Sequence, residues 1–176
     1  MITDPQYPLQ YSILSLERDF NNYYFIIRGV IFLVIGIDFE WHESNPDILK
    51  KLFADFDFSK YTWDVYNEQA WDKDDNDLFE SKAYSGIEFS SIINKPTSLV
   101  MLISIKAFDG AVKEIESFDD YLSSDCQFMF YVIDCDYVDL YCKREEDLNF
   151  FYQRAKKLNV SELDYITDEN LCRTGF

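Results

Sequence analysis

The spacing of apolar residues divides the chain into a succession of strands and helices. The strongest strand signal runs from Phe25 to Ile37 and is apolar on both faces, as expected of a central strand. Alternation with a period of two predicts further strands; these segments are residues 61–66, 99–105, 127–142 and 163–166. The 127–142 segment reads as a hairpin that turns at Asp134-Cys135-Asp136.

Helical periodicity fills most of the intervals between these strands. The predicted helices are residues 48–56, 86–93, 118–122 and 145–158. Ser44, Pro46 and Asp47 are typical of a helix start, because Ser caps, Pro has its φ pre-set and Asp favours the positive end of the helix dipole. Ser117, followed three residues later by Asp120, predicts a second capped start. The helix after it should turn Phe118, Tyr121 and Leu122 inward.

The N-terminal segment differs from the rest. Leu9, Ile13, Leu16 and Phe20 recur at helical spacing, which predicts a short amphipathic helix. We therefore expect an N-terminal arm over residues 1–27 and one domain over residues 28–176. The predicted class is α+β, with a mixed, mostly antiparallel sheet of about five to six strands and three to four packed helices.

Charge narrows the classes of function. Asp and Glu outnumber Lys and Arg by 33 to 16, for a formal net charge of −17. Such a chain is repelled by phosphate backbones and by anionic lipid, so direct nucleic-acid binding and membrane binding are not expected. The alternatives left are an ordinary well-solvated surface and electrostatic complementarity to a basic partner.

Cysteine usage and the apolar runs indicate a cytoplasmic, reduced protein. The four cysteines, at 126, 135, 142 and 172, are not accompanied by an export signal. The longest apolar run, residues 23–37, is interrupted by Arg28 and is too short to cross a bilayer core of about 30 Å as a helix.

The sequence matches none of the motifs for catalysis, phosphate binding or metal binding that we considered. His42 is the one histidine, and its place before a helix start favours a surface role over a catalytic one. The five glycines form no phosphate-binding loop, and the cysteines include no C-x-x-C pair. The stretch Asp72-x-Asp74-x-Asn76 resembles the start of a calcium loop, yet the required Gly and Glu are replaced by Asp77 and Ala83. We expect no catalytic residue, no metal and no cofactor.

Acidic residues interleaved with aromatic ones suggest a partner-binding surface instead. Tyr and Trp often anchor interfaces, and spaced carboxylates can imitate the phosphates of DNA. The predicted surface combines an acidic loop, residues 68–80, with one face of the hairpin. Its residues are Trp71, Asp72, Asp74, Asp75, Asp77, Glu80, Tyr137, Asp139 and Tyr141.

The C-terminal third resembles a known family. The motifs that carry the resemblance are Ser124-Asp125-Cys126, Ile133 to Val138, Tyr141-Cys142-Lys143, Tyr165 to Asn170 and Arg173-Thr174. They are similar to an uncharacterised family of small Bacillus-type proteins, a domain of unknown function, matched mainly over residues 117–174. Arg28-Gly29-Val30 resembles the usual beginning of that family, and the acidic stretch 72–77 has no counterpart in it.

The leading hypothesis is a non-enzymatic acidic module that neutralises or regulates a basic protein partner, as immunity-type or phage-type inhibitors do, including by DNA mimicry. One alternative is a small enzyme or ligand-binding domain that uses a C-terminal polar cluster; its residues are Thr167, Asp168, Glu169, Asn170 and Arg173. Another is a structural subunit that oligomerises through the N-terminal arm.

Overall fold

The computed structural model describes residues 16–19, 22–27, 30–41 and 47–168, which form one antiparallel sheet with helices packed on it. The strands are β1 Leu16–Asp19, β2 Asn22–Ile27, β3 Val30–Glu40, β4 Thr62–Asp72, β5 Lys82–Ser85, β6 Thr97–Phe108, β7 Cys126–Ile133, β8 Tyr137–Cys142 and β9 Ser161–Thr167. The helices are α1 Ile48–Leu52, α2 Gly86–Ile93, α3 Phe118–Ser123 and α4 Glu145–Leu158, with a 3₁₀ turn at Phe58–Lys60.

The strands follow the order β1-β2-β3-β8-β7-β6-β4-β5, and every described pairing is antiparallel. Strand β9 lies outside this path and pairs with β3. β2 pairs with residues 30–34 of β3, whereas β9 pairs with residues 34–40. The two strands therefore lie end to end along one edge of β3.

One side of the sheet, the helix face, carries the main core. Helices α1, α2 and α4 pack there against residues that alternate along the strands. Phe53 lies near the centre, with seven other aromatic rings whose centroids are between 5.2 and 6.3 Å from its own. Trp63 stacks on Phe89 with ring centroids 4.2 Å apart. This stacking holds α2 against β4, next to the edge strand β5.

The other side, the second face, carries a smaller core. Tyr121 of α3 and Ile115 from the segment before it cover Phe108, Met129 and Tyr141. Lys106 is buried on the same side, and its ammonium group donates to the carbonyl oxygen of Ile115 at 3.1 Å. The cover is partial, since Ser161, Asp164 and the end of β8 near Tyr137 remain at least partly exposed.

Helix α2 begins in close contact with the 3₁₀ turn. Ser85 and Glu88 form a reciprocal capping box, which satisfies two of the backbone donors at the helix start. The next residue is Gly86, where a Cβ atom would lie 2.7 Å from the Phe58 carbonyl carbon. The Phe58 carbonyl oxygen also accepts the indole N–H of Trp63 at 3.1 Å. The close approach of the two backbones at Gly86 therefore fixes the position of the Phe58 carbonyl oxygen.

The fold class is confirmed as α+β, and the sheet is larger than expected. The predicted strand from Phe25 to Ile37 is two antiparallel strands, β2 and β3, separated in the chain by Arg28-Gly29. A continuous apolar run hides such a division, because both strands are apolar. The predicted sheet was mixed, but the described strands pair only antiparallel.

The predicted N-terminal helix is wrong over its described part. Leu16 lies in β1, which pairs with β2, because strand pairing with an existing edge outweighs a weak helical period. Leu9, Ile13 and Phe20 lie outside the described residues.

Two smaller expectations also need correction. Residues 68–72 were predicted to be loop, yet they continue β4. Leu122 was predicted to face inward and is 50% exposed. The short helix α3 presents only Tyr121 as a fully buried anchor, with Phe118 partly buried. The predicted helices at 86–93 and 145–158 are confirmed.

Candidate functional site

An acidic concavity lies at one end of the second face, where β3, β8 and the start of β9 meet. Its volume is about 660 Å³. We call it the acidic groove; its described side chains are Asp38, Glu40, Ile133, Tyr137, Asp139 and Glu162. Four of these are carboxylates, and none of the described lining residues is Lys or Arg.

Strand register explains why the carboxylates converge. Asp38 stands directly opposite Asp139 on β8 and directly opposite Asp164 on β9. Since neighbouring positions across a sheet lie about 4.5–5.5 Å apart at Cβ, the three side chains form one acidic row on the second face. Like charges in such a row destabilise the sheet, and a cation bound over them would offset that cost.

An irregularity in β9 adds a fourth carboxylate. The pairing of β9 with β3 shifts register between Asp38 and Glu40, and Glu162 takes a left-handed φ of 52° there. A bulge of this kind re-aims a side chain relative to regular strand alternation. Glu162 consequently lines the groove.

The floor of the groove has an exposed apolar pair. Ile133 and Tyr137 stand opposite each other at the ends of β7 and β8, and they are 36% and 53% exposed. The turn between them has left-handed φ values at Asp134 (51°) and Cys135 (71°), and the Asp136 N–H donates to the Ile133 carbonyl. These two residues and this hydrogen bond close a tight turn between β7 and β8.

Tyr141, predicted as a partner contact, is fully buried in the second-face core. Burial raises the pKa of its hydroxyl, and the nearby charges of Asp139 and Asp38 raise it further. Its ring lies in the second-face core, two positions along β8 from Asp139, and is not presented to solvent. Tyr137 and Asp139 do line the groove.

The predicted acidic loop is a tight turn after β4. The Asp72 carboxylate accepts the backbone N–H groups of Asp74 and Asn76 at 2.9 and 3.0 Å. These bonds, that of Asn76 first, lower the pKa of Asp72. Asp75 takes a left-handed φ of 59°, which Asp tolerates better than most residues. Asp72 therefore holds the turn together with its own carboxylate.

The other predicted contact residues of the acidic loop are exposed or half-buried. Asp74, Asp75 and Asp77 are exposed, and Trp71 is half-buried. Glu80 forms an exposed ion pair with Lys82 at 2.8 Å, which lowers the pKa of Glu80.

The turn and the hairpin lie at the same end of the sheet. Trp71 pairs with Leu99 on β6, and the Cys135 N–H donates to the Met101 carbonyl two residues further along that strand. The structure thus brings the described parts of the predicted surface to one end, with β6 and β7 between them.

The C-terminal cluster is described only at its beginning. Asp168 exchanges backbone and side-chain hydrogen bonds with Leu33, which extends the pairing of β9 with β3. Thr167 is half-buried and pairs with Val34. Glu169, Asn170 and Arg173 lie outside the described residues, as does His42.

Metal and thiol chemistry find little support in the described residues. No group of three His, Cys, Asp or Glu side chains among them is arranged to hold a metal ion. Cys126 and Cys142 are buried free thiols, and burial raises the pKa of Cys126 to about 11. Over the same part of the chain, no helix has the length and apolar character needed to cross a membrane.

Sequence reasoning missed Asp38, Glu40, Ile133 and Glu162. The available signal was the alternation Ile37-Asp38-Phe39-Glu40, which is unusual at the end of an apolar strand. Their convergence with Asp139 depends on the β3–β8 pairing, which no local pattern reveals.

Comparison with known proteins agrees with the resemblance seen in the sequence. A family model described as Protein of unknown function (DUF2691) matches residues 34–176. The uncharacterized protein YncE of Bacillus subtilis (strain 168) is 23% identical over 147 residues, which cover 80% of this chain and 96% of that protein. No solved structure matches.

Proposed function

We propose that the chain, which belongs to the DUF2691 family of proteins of unknown function, is a non-enzymatic binding module for a basic protein partner. It would neutralise or regulate that partner, as immunity-type or phage-type inhibitors do, including by imitating DNA. The observation that supports this proposal is the acidic groove, a concavity of about 660 Å³ lined by four carboxylates and an exposed apolar pair.

The carboxylates and the apolar pair of the groove would contribute to binding in different ways, the first to the association rate and the second to the affinity. The carboxylates, together with a net charge of −17, would steer a basic partner toward the surface and raise the association rate at low salt. Tyr137 and Ile133 would supply the central apolar contact that carries most of the affinity in protein interfaces. The spacing of Asp164, Asp38 and Asp139 across adjacent strands offers regularly placed negative charges.

The test is an affinity pulldown from the source organism at low and moderate salt, with bound proteins identified by mass spectrometry. The groove variant combines Asp139→Asn with Glu162→Gln. The matched control combines Asp74→Asn with Asp77→Asn, which removes the same charge from the exposed turn. We expect one basic protein to bind wild type and control, and to bind the groove variant at least about tenfold more weakly with a flatter salt dependence.

Two results would contradict the proposal. One is equal recovery of the basic partner by the groove variant and by wild type. The other is recovery of no basic protein at either salt concentration. Loss of binding by the turn control alone would move the interface to the Asp72–Asp77 turn.

A further inference from the structure

A second concavity lies on the helix face, on the opposite side of the sheet from the acidic groove. It occupies about 210 Å³ between the segment after α1 and the first turns of α4. We call it the helix-face cleft, defined by the rings of Phe56, Tyr61 and Phe150 and the carboxylates of Asp57 and Asp147. Lys60 also lines it.

The cleft contains a buried carboxylate. Asp147 is only 8% exposed, and its Oδ2 accepts the hydroxyl of Tyr61 at 2.9 Å. Burial raises the pKa of Asp147, while the Tyr61 hydrogen bond and the charge of Arg144 oppose that rise. A buried carboxylate with a neutral hydrogen-bond donor is costly unless a cation lies close to it.

The rings around the cleft already attract cations. The Arg144 guanidinium lies 5.5 Å from the centroid of Tyr61, and that of Arg154 lies 5.3 Å from the centroid of Phe150. Both arginines are also bonded elsewhere, Arg144 to Asp109 at 2.8 and 3.0 Å and Arg154 to Asp55 at 3.1 Å. Ring faces with nearby carboxylates therefore form a recurring cation-binding arrangement here.

We propose that the helix-face cleft binds an alkylammonium group, either the end of a lysine side chain or a small amine. Rings and carboxylates together suit such a group, because the alkyl portion packs on the rings and the charged end reaches Asp147. A metal ion fits less well, since the described residues include no three-ligand cluster for one.

Lys60 provides an internal competitor. Lys60 lines the cleft, and its positive charge lowers the pKa of both Asp147 and Asp57. Removing this charge should make the cleft more attractive to an added cation, whereas removing the Asp147 charge should have the opposite effect. The two substitutions thus predict changes of opposite sign at one site.

The test is an NMR titration of the ¹⁵N-labelled full chain with butylammonium chloride, with Nα-acetyl-lysine methylamide and, as a neutral isostere, with butanol. We expect the two ammonium probes to shift amide signals within residues 55–61 and 146–151, and butanol to leave them in place. Asp147→Asn should weaken binding at least about tenfold, and Lys60→Gln should strengthen it severalfold. Glu114→Gln removes one charge from an exposed position outside the cleft and should leave the affinity unchanged.

Binding of both probes would show that the cleft accepts a lysine side chain, and binding of butylammonium alone would restrict it to a small free amine. Absence of localised shifts with both, or equal affinity for wild type and Asp147→Asn, would overturn the proposal. The Asn amide oxygen can still accept the Tyr61 hydroxyl, so this variant should fold. Phe150→Leu, which removes a ring and should weaken binding severalfold, serves as a second variant. Because the cleft and the groove lie on opposite faces, either proposal can fail without the other.

Discussion

Replacement of Gly86 by Ala sets two opposing effects against each other at one position. Gly is a poor helix former, so the substitution should favour α2 by up to about 1 kcal/mol on helix propensity alone. The added Cβ, however, would lie 2.7 Å from the Phe58 carbonyl carbon and 2.8 Å from the Ser59 Cα, both backbone atoms. Contacts this short force α2 and the 3₁₀ turn apart.

The expected loss of stability follows from the hydrogen bond that the 3₁₀ turn makes with Trp63. The Phe58 carbonyl oxygen accepts the indole N–H of Trp63, a side chain with no exposed surface. Moving that oxygen away leaves a buried donor unsatisfied, at about 1–3 kcal/mol. Overpacking between two closely packed backbones adds about 1–3 kcal/mol. After subtracting the propensity gain, we expect Gly86→Ala to lower the free energy of unfolding by about 1–5 kcal/mol.

Urea unfolding followed by far-UV circular dichroism measures this change. Ser91→Ala, at an exposed position of the same helix, is the control and should raise stability by about 0.5 kcal/mol or leave it unchanged. In a Trp63→Phe background the indole donor is absent, so the cost of Gly86→Ala should fall by about 1 kcal/mol or more. A neutral or stabilising Gly86→Ala would refute the reasoning, because propensity would then outweigh the contact.

Three further outcomes follow from buried polar groups. Lys143→Met removes the two hydrogen bonds that the ammonium donates to the end of α3, and should cost about 1–3 kcal/mol and speed amide hydrogen exchange in that helix. Tyr61→Phe removes a hydrogen bond that lowers the pKa of Asp147, so the pKa of Asp147 in the folded protein should rise further. The free energy of unfolding should then fall more steeply as pH increases from 3.8, the pKa of Asp147 in the unfolded chain, through its pKa in the folded protein. Unfolding measured at a series of pH values tests this. Cys126 and Cys142, whose pKa values are raised by burial, should resist alkylation at pH 8 until the chain unfolds.

Local patterns predicted most elements and few of their partners. Ser117 and Asp120 carry a capping signal within four residues, and α3 begins where that signal placed it. Helix α2 also lies where the periodicity of residues 86–93 predicted a helix. The division between β2 and β3 was missed because both are apolar, and the strand β1 because four residues with a helical period carry little information.

The candidate site shows the same limit more sharply. Asp139 was recognised from its place beside Tyr137, within one hairpin. Asp38 and Asp164 join it only through pairings between residues more than a hundred positions apart, those of β3 with β8 and with β9. Glu162 enters through a register shift, and Asp147 through the packing of α4 on the segment after α1. Such convergence is a property of topology and not of any window of sequence.

The end-to-end arrangement of β2 and β9 along β3 has a consequence during protein synthesis. Residues 34–40 of β3 gain their partner on that edge only when residues 161–167 leave the ribosome. At about 5–20 residues per second, translation of the intervening segment takes on the order of 6–24 s. Throughout that interval an apolar strand with an unpaired edge is available for association with other chains, so the nascent protein should depend on chaperones more than the stability of its finished sheet would suggest.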